Sequence, residues 1–137
     1  MENADLLTSV INFAIYFAIS IGFLVLFKVV FTFVTPHDEW KLIKEEQNIA
    51  AAIGFGGAIV GFAIAVAGAA SNAVSIVDFA TWGGIALVAQ TFAFALVRFG
   101  FMPRIVERIE KNEISAGIML AATNISVGLL NAACMSY

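Results

Sequence analysis

Cysteine, proline, histidine and charge are all scarce in this 137-residue chain, and each scarcity excludes something. A single cysteine, Cys134, rules out an intramolecular disulfide and any metal site built from several thiolates. The two prolines, Pro36 and Pro103, stand beside charged connectors, so the long runs between them contain no helix breaker. Charged residues make up only 12% of the chain, and a formal charge of -3 with no basic stripe sets nucleic-acid binding aside. No Lys or Arg precedes Lys28, so the N-terminus lacks the basic region of a cleavable signal peptide, and the first helix is expected to stay in the mature protein. No acidic residue or histidine falls clearly at the middle of an apolar run, which removes the usual signature of a proton relay.

What is abundant is apolar surface. The content of 61% hydrophobic residues and a mean hydropathy of +0.96 exceed what a soluble domain carries. Apolar runs at 6–34, 49–70, 77–102 and 114–135 each meet the roughly 20-residue requirement for crossing a bilayer. The first and third are longer than needed, which lets them tilt while Lys28 and Arg98 snorkel to the headgroups. The expected fold class is therefore an all-α membrane protein of four transmembrane helices. All seven Lys and Arg residues lie in or beside the first and third connectors. The positive-inside rule then puts loops 35–48 and 103–113 in the cytoplasm and both termini outside it. Trp40 and Trp82 fall near opposite interfaces, where an indole buries its ring and keeps its N–H wet.

The two halves share a layout. Thr35-Pro36 leads through a charged stretch to Asn48-Ile49-Ala50-Ala51-Ala52-Ile53, and Met102-Pro103 through another to Glu113-Ile114-Ser115-Ala116-Gly117-Ile118. This reads as two tandem helical hairpins of the same orientation, 1–70 and 71–137, able to pack about an axis along the membrane normal. The competing reading is that any two membrane hairpins look alike.

Two faces stand out. The second span places Gly54, Ala58, Gly61, Ala65 and Gly68 at spacings of three and four, with Gly57 alongside. The fourth repeats the pattern with Gly117, Ala121, Asn124, Gly128 and Asn131. Small residues let helix backbones approach closely in lipid. That serves packing inside one bundle, a subunit interface, or a pore lining, and packing is the commoner use. Gln90, Asn124 and Asn131 are the polar side chains placed deepest; they suit either interhelical hydrogen bonding or a wet path.

In the first loop, His37, Asp38, Glu39 and Trp40 form the densest group of functional side chains, but one histidine beside two acids makes neither a metal triad nor a nucleophile constellation. A solvated turn anchored by Trp40 is the plainer reading. In the second loop, Arg104, Glu107, Arg108 and Lys111 recur at helical spacing, predicting a short charge-paired helix that projects as a handle. Cys134 reads as a small packed side chain or as a redox-active thiol. No residue set points to catalysis or to a cofactor.

Thr35 through Trp40, Asn72-Ala-Val-Ser-Ile-Val-Asp78, Trp82-Gly-Gly-Ile-Ala-Leu-Val88 and the ending Asn131-Ala-Ala-Cys-Met-Ser-Tyr137 together resemble the YjfL-type bacterial proteins, the family of domain of unknown function 350. The resemblance runs from the first helix to the last residue. It implies a small bacterial inner-membrane protein made of two copies of a two-helix unit, and points to an envelope-maintenance setting without supplying an activity. Departures are Gln47, where many relatives carry Gly, and Val77, where some carry Pro; both bear on turn geometry.

The expected function is thus a non-enzymatic membrane protein that associates with itself through the Gly/Ala faces and presents its cytoplasmic loops to a peripheral envelope-stress protein. The alternative is an oligomeric channel or transporter lined by Gln90, Asn124 and Asn131. A reporter active only outside the cytoplasm is expected to be active when fused after Tyr137 and silent between Glu45 and Glu46; the reverse pattern would invert the topology.

Overall fold

The structure, a computed structural model, describes the backbone of residues 2–34, 39–101 and 104–135 and the side chains of 5–33, 41–100 and 104–135. Its elements are α1 (Glu2–Val34), α2 (Glu39–Lys44), α3 (Ile49–Asn72), α4 (Ile76–Leu96) running into a π-helical turn (Val97–Phe101), α5 (Ile105–Glu110) and α6 (Ile114–Ala133). Among the described residues there is no strand, and α1, α3, α4 with its π turn, and α6 are the four helices long and apolar enough to cross a membrane. Their limits match the apolar runs of the sequence to within a few residues. We call the end bearing α2 and α5 the loop end, and the end bearing the 73–75 connector the turn end.

The centre of the bundle is a parallel pair, α3 against α6. Gly117 lies on the backbone of Ala50, Ala121 on Gly57, the Asn124 carbonyl on Gly61, Gly128 on the Gly61 carbonyl, and Ala132 on Gly68. A Cβ at Gly68 would come within 2.7 Å of the Ala132 Cβ, and one at Gly54 within 2.9 Å of Leu120 Cδ2. The two backbones therefore touch along almost their whole length, and only glycine and alanine leave room for that.

Helix α4 packs beside this pair, and α1 packs outside α3 and α4 through a ladder of rings. Tyr16 stacks on Phe79 with centroids 5.1 Å apart, Phe27 on Phe62 at 4.7 Å, and Phe31 meets Phe55 at 5.6 Å and Phe94 at 6.0 Å. Phe27, Phe62 and Phe79 are fully buried. Such offset and edge contacts each add about 0.5–1.5 kcal/mol beyond burial. Gly83 admits Phe23: a Cβ there would lie 2.5 Å from the ring.

Local chemistry explains the ends. Ser75 caps α4 by accepting from Asp78 N–H at 3.0 Å, and the Asp78 carboxylate accepts from Val74 N–H at 3.1 Å, closing a capping box across the 73–75 connector. At the loop end, α3 and α6 are each preceded by a non-glycine residue in the left-handed region, Gln47 (φ 50) and Asn112 (φ 59). The sequence did not announce the π turn. In sequence it stands just before Pro103, a residue type with no backbone N–H to continue an α-helical ladder. Arg98 folds over the Phe99 ring there, 5.5 Å from its centroid.

Two outcomes check this packing by thermal unfolding in detergent. Gly61→Leu is expected to lose most folded protein, since a Cβ would strike the Asn124 carbonyl and come within 2.9 Å of Gln90 Nε2, whereas Gly56→Leu on the same helix, with nothing within 4 Å, should unfold like the parent. Gln47→Gly is expected to gain up to about 1 kcal/mol by removing the left-handed strain of a side chain at that φ.

Candidate functional site

The deepest polar group lies where α3, α4 and α6 meet. Gln90 on α4 and Asn124 on α6 are 1% and 0% exposed. Gln90 Nε2 donates to the Asn124 backbone carbonyl at 2.7 Å, and Asn124 Nδ2 donates back along its own helix to the Leu120 carbonyl at 2.9 Å. One turn or two further toward the turn end, Asn131 Nδ2 donates to the Ala86 carbonyl at 3.1 Å. Helices α4 and α6 are thus bonded at two levels, each bond worth on the order of 1 kcal/mol in lipid. Gln90 Oε1 and Asn124 Oδ1 are buried without a hydrogen-bond partner. The three amides singled out in the sequence lie along the α4–α6 contact of a single bundle: Gln90 and Asn131 bridge the two helices, while the Asn124 side chain bonds within α6 and its backbone carbonyl receives Gln90.

The small-residue faces have the same fate. Gly54, Gly57, Ala58, Gly61, Ala65, Gly117, Ala121 and Gly128 are buried, and Gly68 is half-buried against Ala132. At each glycine of these faces a Cβ would obstruct the facing helix, α3 or α6, of the same chain. Within the chain these faces are packed against one another, the commoner of the uses the sequence left open, and in this arrangement they are closed to a second copy.

A second polar cluster, not singled out in the sequence, latches the loop end. Asn48 accepts from Ala51 N–H at 2.8 Å as the N-cap of α3, and its Nδ2 donates to the Ile109 carbonyl at 2.7 Å, 61 residues away. Asn112 returns the contact, accepting from Ala50 N–H at 3.0 Å. Each asparagine thus satisfies an orphan group at a helix end in the other half of the chain. The visible signal was an Asn directly before an apolar run, which announces the cap but not its distant partner.

The second loop forms the short helix its spacing predicts, but it does not project. Ile105 and Ile109 are fully buried, which holds α5 down on the bundle. Its charges are paired at the surface, Lys111 with Glu107 at 2.9 Å and Arg108 with Glu113, while Arg104 is exposed. The Lys111 ammonium, by hydrogen bond and charge, holds the Glu107 carboxyl below its usual range. His37 and Asp38, with Pro36 and Pro103, lie outside the described residues; Glu39 and Trp40 begin α2, but their side chains lie outside them too. Among the described residues no three His, Cys, Asp or Glu side chains converge, and Cys134 is exposed at the end of α6.

Comparison with known proteins assigns the chain. The family model described as Domain of Unknown Function (DUF350) matches residues 5–135. The chain belongs to that family. It is 41% identical over 132 residues to the UPF0719 inner membrane protein YjfL of Escherichia coli (strain K12), covering 96% of this chain and 98% of that protein. It is 31% identical over 121 residues to the UPF0719 transmembrane protein YshE of Bacillus subtilis (strain 168), covering 87% of each. No solved structure matches. The family resemblance read from the motifs at 35–40, 72–78, 82–88 and 131–137 is thereby shown, and in this DUF350 protein Asp78 closes a cap and Gln90 ties α4 to α6.

Asn48→Ala is expected to lower the unfolding midpoint by the equivalent of about 1–2 kcal/mol, the worth of a cap. Asn48→Asp, which keeps the cap acceptor but sets a buried carboxylate oxygen against the Ile109 carbonyl where the donor stood, should cost at least as much.

Proposed function

We propose that the protein is a non-enzymatic component of the bacterial inner (plasma) membrane that associates with itself and holds its loop end in the cytoplasm as a docking surface for a peripheral envelope-maintenance or stress protein. The observation that carries this reading is the division of labour in α1: one stripe, through Tyr16, Phe23, Phe27 and Phe31, packs on the bundle, and the rest of a 33-residue apolar helix is left uncovered. The relatives' names, inner membrane protein and transmembrane protein, support the location. The clustering of all Lys and Arg at the loop end supports a cytoplasmic loop end and termini outside the cytoplasm. A loop end braced by Asn48 and Asn112 and buried at Ile105 and Ile109 is a rigid platform suited to a protein partner.

The tandem-hairpin reading belongs to the same proposal. Gln47 and Asn112, and the helix starts Ile49 and Ile114, are both offset by 65 residues. The contacts of α6 on α3 keep nearly that register: Ala121 on Gly57 is offset by 64 residues and Ala132 on Gly68 by 64. Two copies of one hairpin related by an axis along the membrane normal have this property.

A second reading, an oligomeric channel or transporter lined by Gln90, Asn124 and Asn131, draws on the two unpartnered oxygens at the junction. Against it stands the nitrogen of each amide, which donates to a carbonyl within the chain.

Mass determination in native-lipid nanodiscs is expected to give a whole multiple, above one, of the 14.6 kDa chain. A monomer contradicts self-association. Liposomes holding the protein should show no ion flux above empty ones; a flux abolished by Asn131→Leu would put the channel reading first.

A further inference from the structure

Helix α1 is too long for the bundle it belongs to, and the excess lies at one end. The Tyr16–Phe79 and Phe31–Phe94 contacts are fifteen residues apart on both helices, so α1 runs parallel to α4 at the same pitch and cannot tilt away from it. Tyr16 lies fourteen residues from the start of α1, but Phe79 only three from the start of α4. The difference of eleven residues means α1 overshoots the turn end by about 16 Å. Its neighbours already span a hydrocarbon layer of about 30 Å.

The overshooting segment is amphipathic. Every residue from Asp5 to Ile15 is exposed. Ser9, Asn12 and Tyr16 lie on one side and line, with Phe13, Ala70 and Ser71, a groove of about 400 Å³ between α1 and the end of α3. The opposite side carries Leu7, Ile11, Ala14, Ala18 and Val25 at alternating spacings of four, three, four and seven, the seam of a two-helix coil, all exposed and none charged. Beside it, Gly22 has nothing within 4 Å of where a Cβ would be.

Lipid covers such a stripe within the bilayer, but a bilayer centred on α3, α4 and α6 leaves Leu7 and Ile11 among headgroups and water, where the apolar face gains by burial against protein. Copies inserted with one topology present the stripe in the same direction, which makes it self-complementary about an axis along the membrane normal.

We propose that the outer stripe of α1, from Leu7 to Val25, pairs in parallel with the same stripe of a second copy, with the polar side of each overshoot turned back over its own bundle. This rests on the self-association reading above and names its surface.

The test is cysteine scanning in native membranes. In a Cys134→Ala background, single cysteines replace each residue from Leu6 to Ala18 in turn, and mild oxidation is followed by non-reducing gel analysis. Leu7→Cys, Ile11→Cys, Ala14→Cys and Ala18→Cys are expected to give maxima of dimer, with Ser9→Cys and Asn12→Cys at background. Ala14→Leu with Ala18→Leu should lower the oligomer mass in nanodiscs without changing the unfolding midpoint of the bundle. An oligomer by mass whose crosslinking is flat along the helix, or peaks at Ser9 and Asn12, overturns this interface and leaves self-association standing. A monomer by mass overturns both.

Discussion

Backbone contact between α3 and α6 is the constraint from which the rest of the molecule follows. In lipid no hydrophobic force drives apolar helices together, so their association depends on how closely they approach and on the polar groups they share. Here glycine meets backbone at several successive levels, from Gly117 on Ala50 to Gly68 on Ala132. That closeness brings the Asn124 carbonyl within reach of Gln90, fixing α4, and α4 supplies Phe79 and Phe94 to the ring ladder that holds α1. A wider α3–α6 spacing would lengthen the Gln90 bond and open the junction in which two oxygens are already unpaired.

The same constraint organises the loop end. Parallel helices that touch at their starts bring both loops together, which lets Asn48 and Asn112 bond across to each other's segment. Burial of Ile105 and Ile109 then makes α5 part of the bundle rather than an appendage. Of the four long helices α1, with one stripe engaged, is the least covered by the rest of the chain.

Much of this was legible in the sequence, because membrane helices declare themselves by length and apolarity alone: the four runs lie within a few residues of the four long helices. The small-residue faces were also legible as faces, since spacings of three and four put Gly54, Gly61 and Gly68 on one side whatever they meet. Which neighbour they meet was not, because glycine carries no side chain to distinguish α6 of the same chain from a helix of another. The amides at Gln90, Asn124 and Asn131 were found for the same reason, polarity in an apolar run, while their partners are carbonyls that every residue possesses. Hidden altogether were the Asn48–Ile109 brace, whose ends are 61 residues apart, and the overshoot of α1, which depends on where Tyr16 meets α4.

The most direct test of the central pairing is a disulfide between Gly54→Cys and Leu120→Cys in a Cys134→Ala background, since a Cβ at position 54 would lie 3.7 Å from that of Leu120, a separation a disulfide spans. The account predicts that mild oxidation in membranes consumes both thiols at monomer mass, and that mixing the two single variants gives no crosslink. A crosslinked dimer from the mixed single variants would show instead that the small-residue faces join separate chains, contradicting the bundle described here.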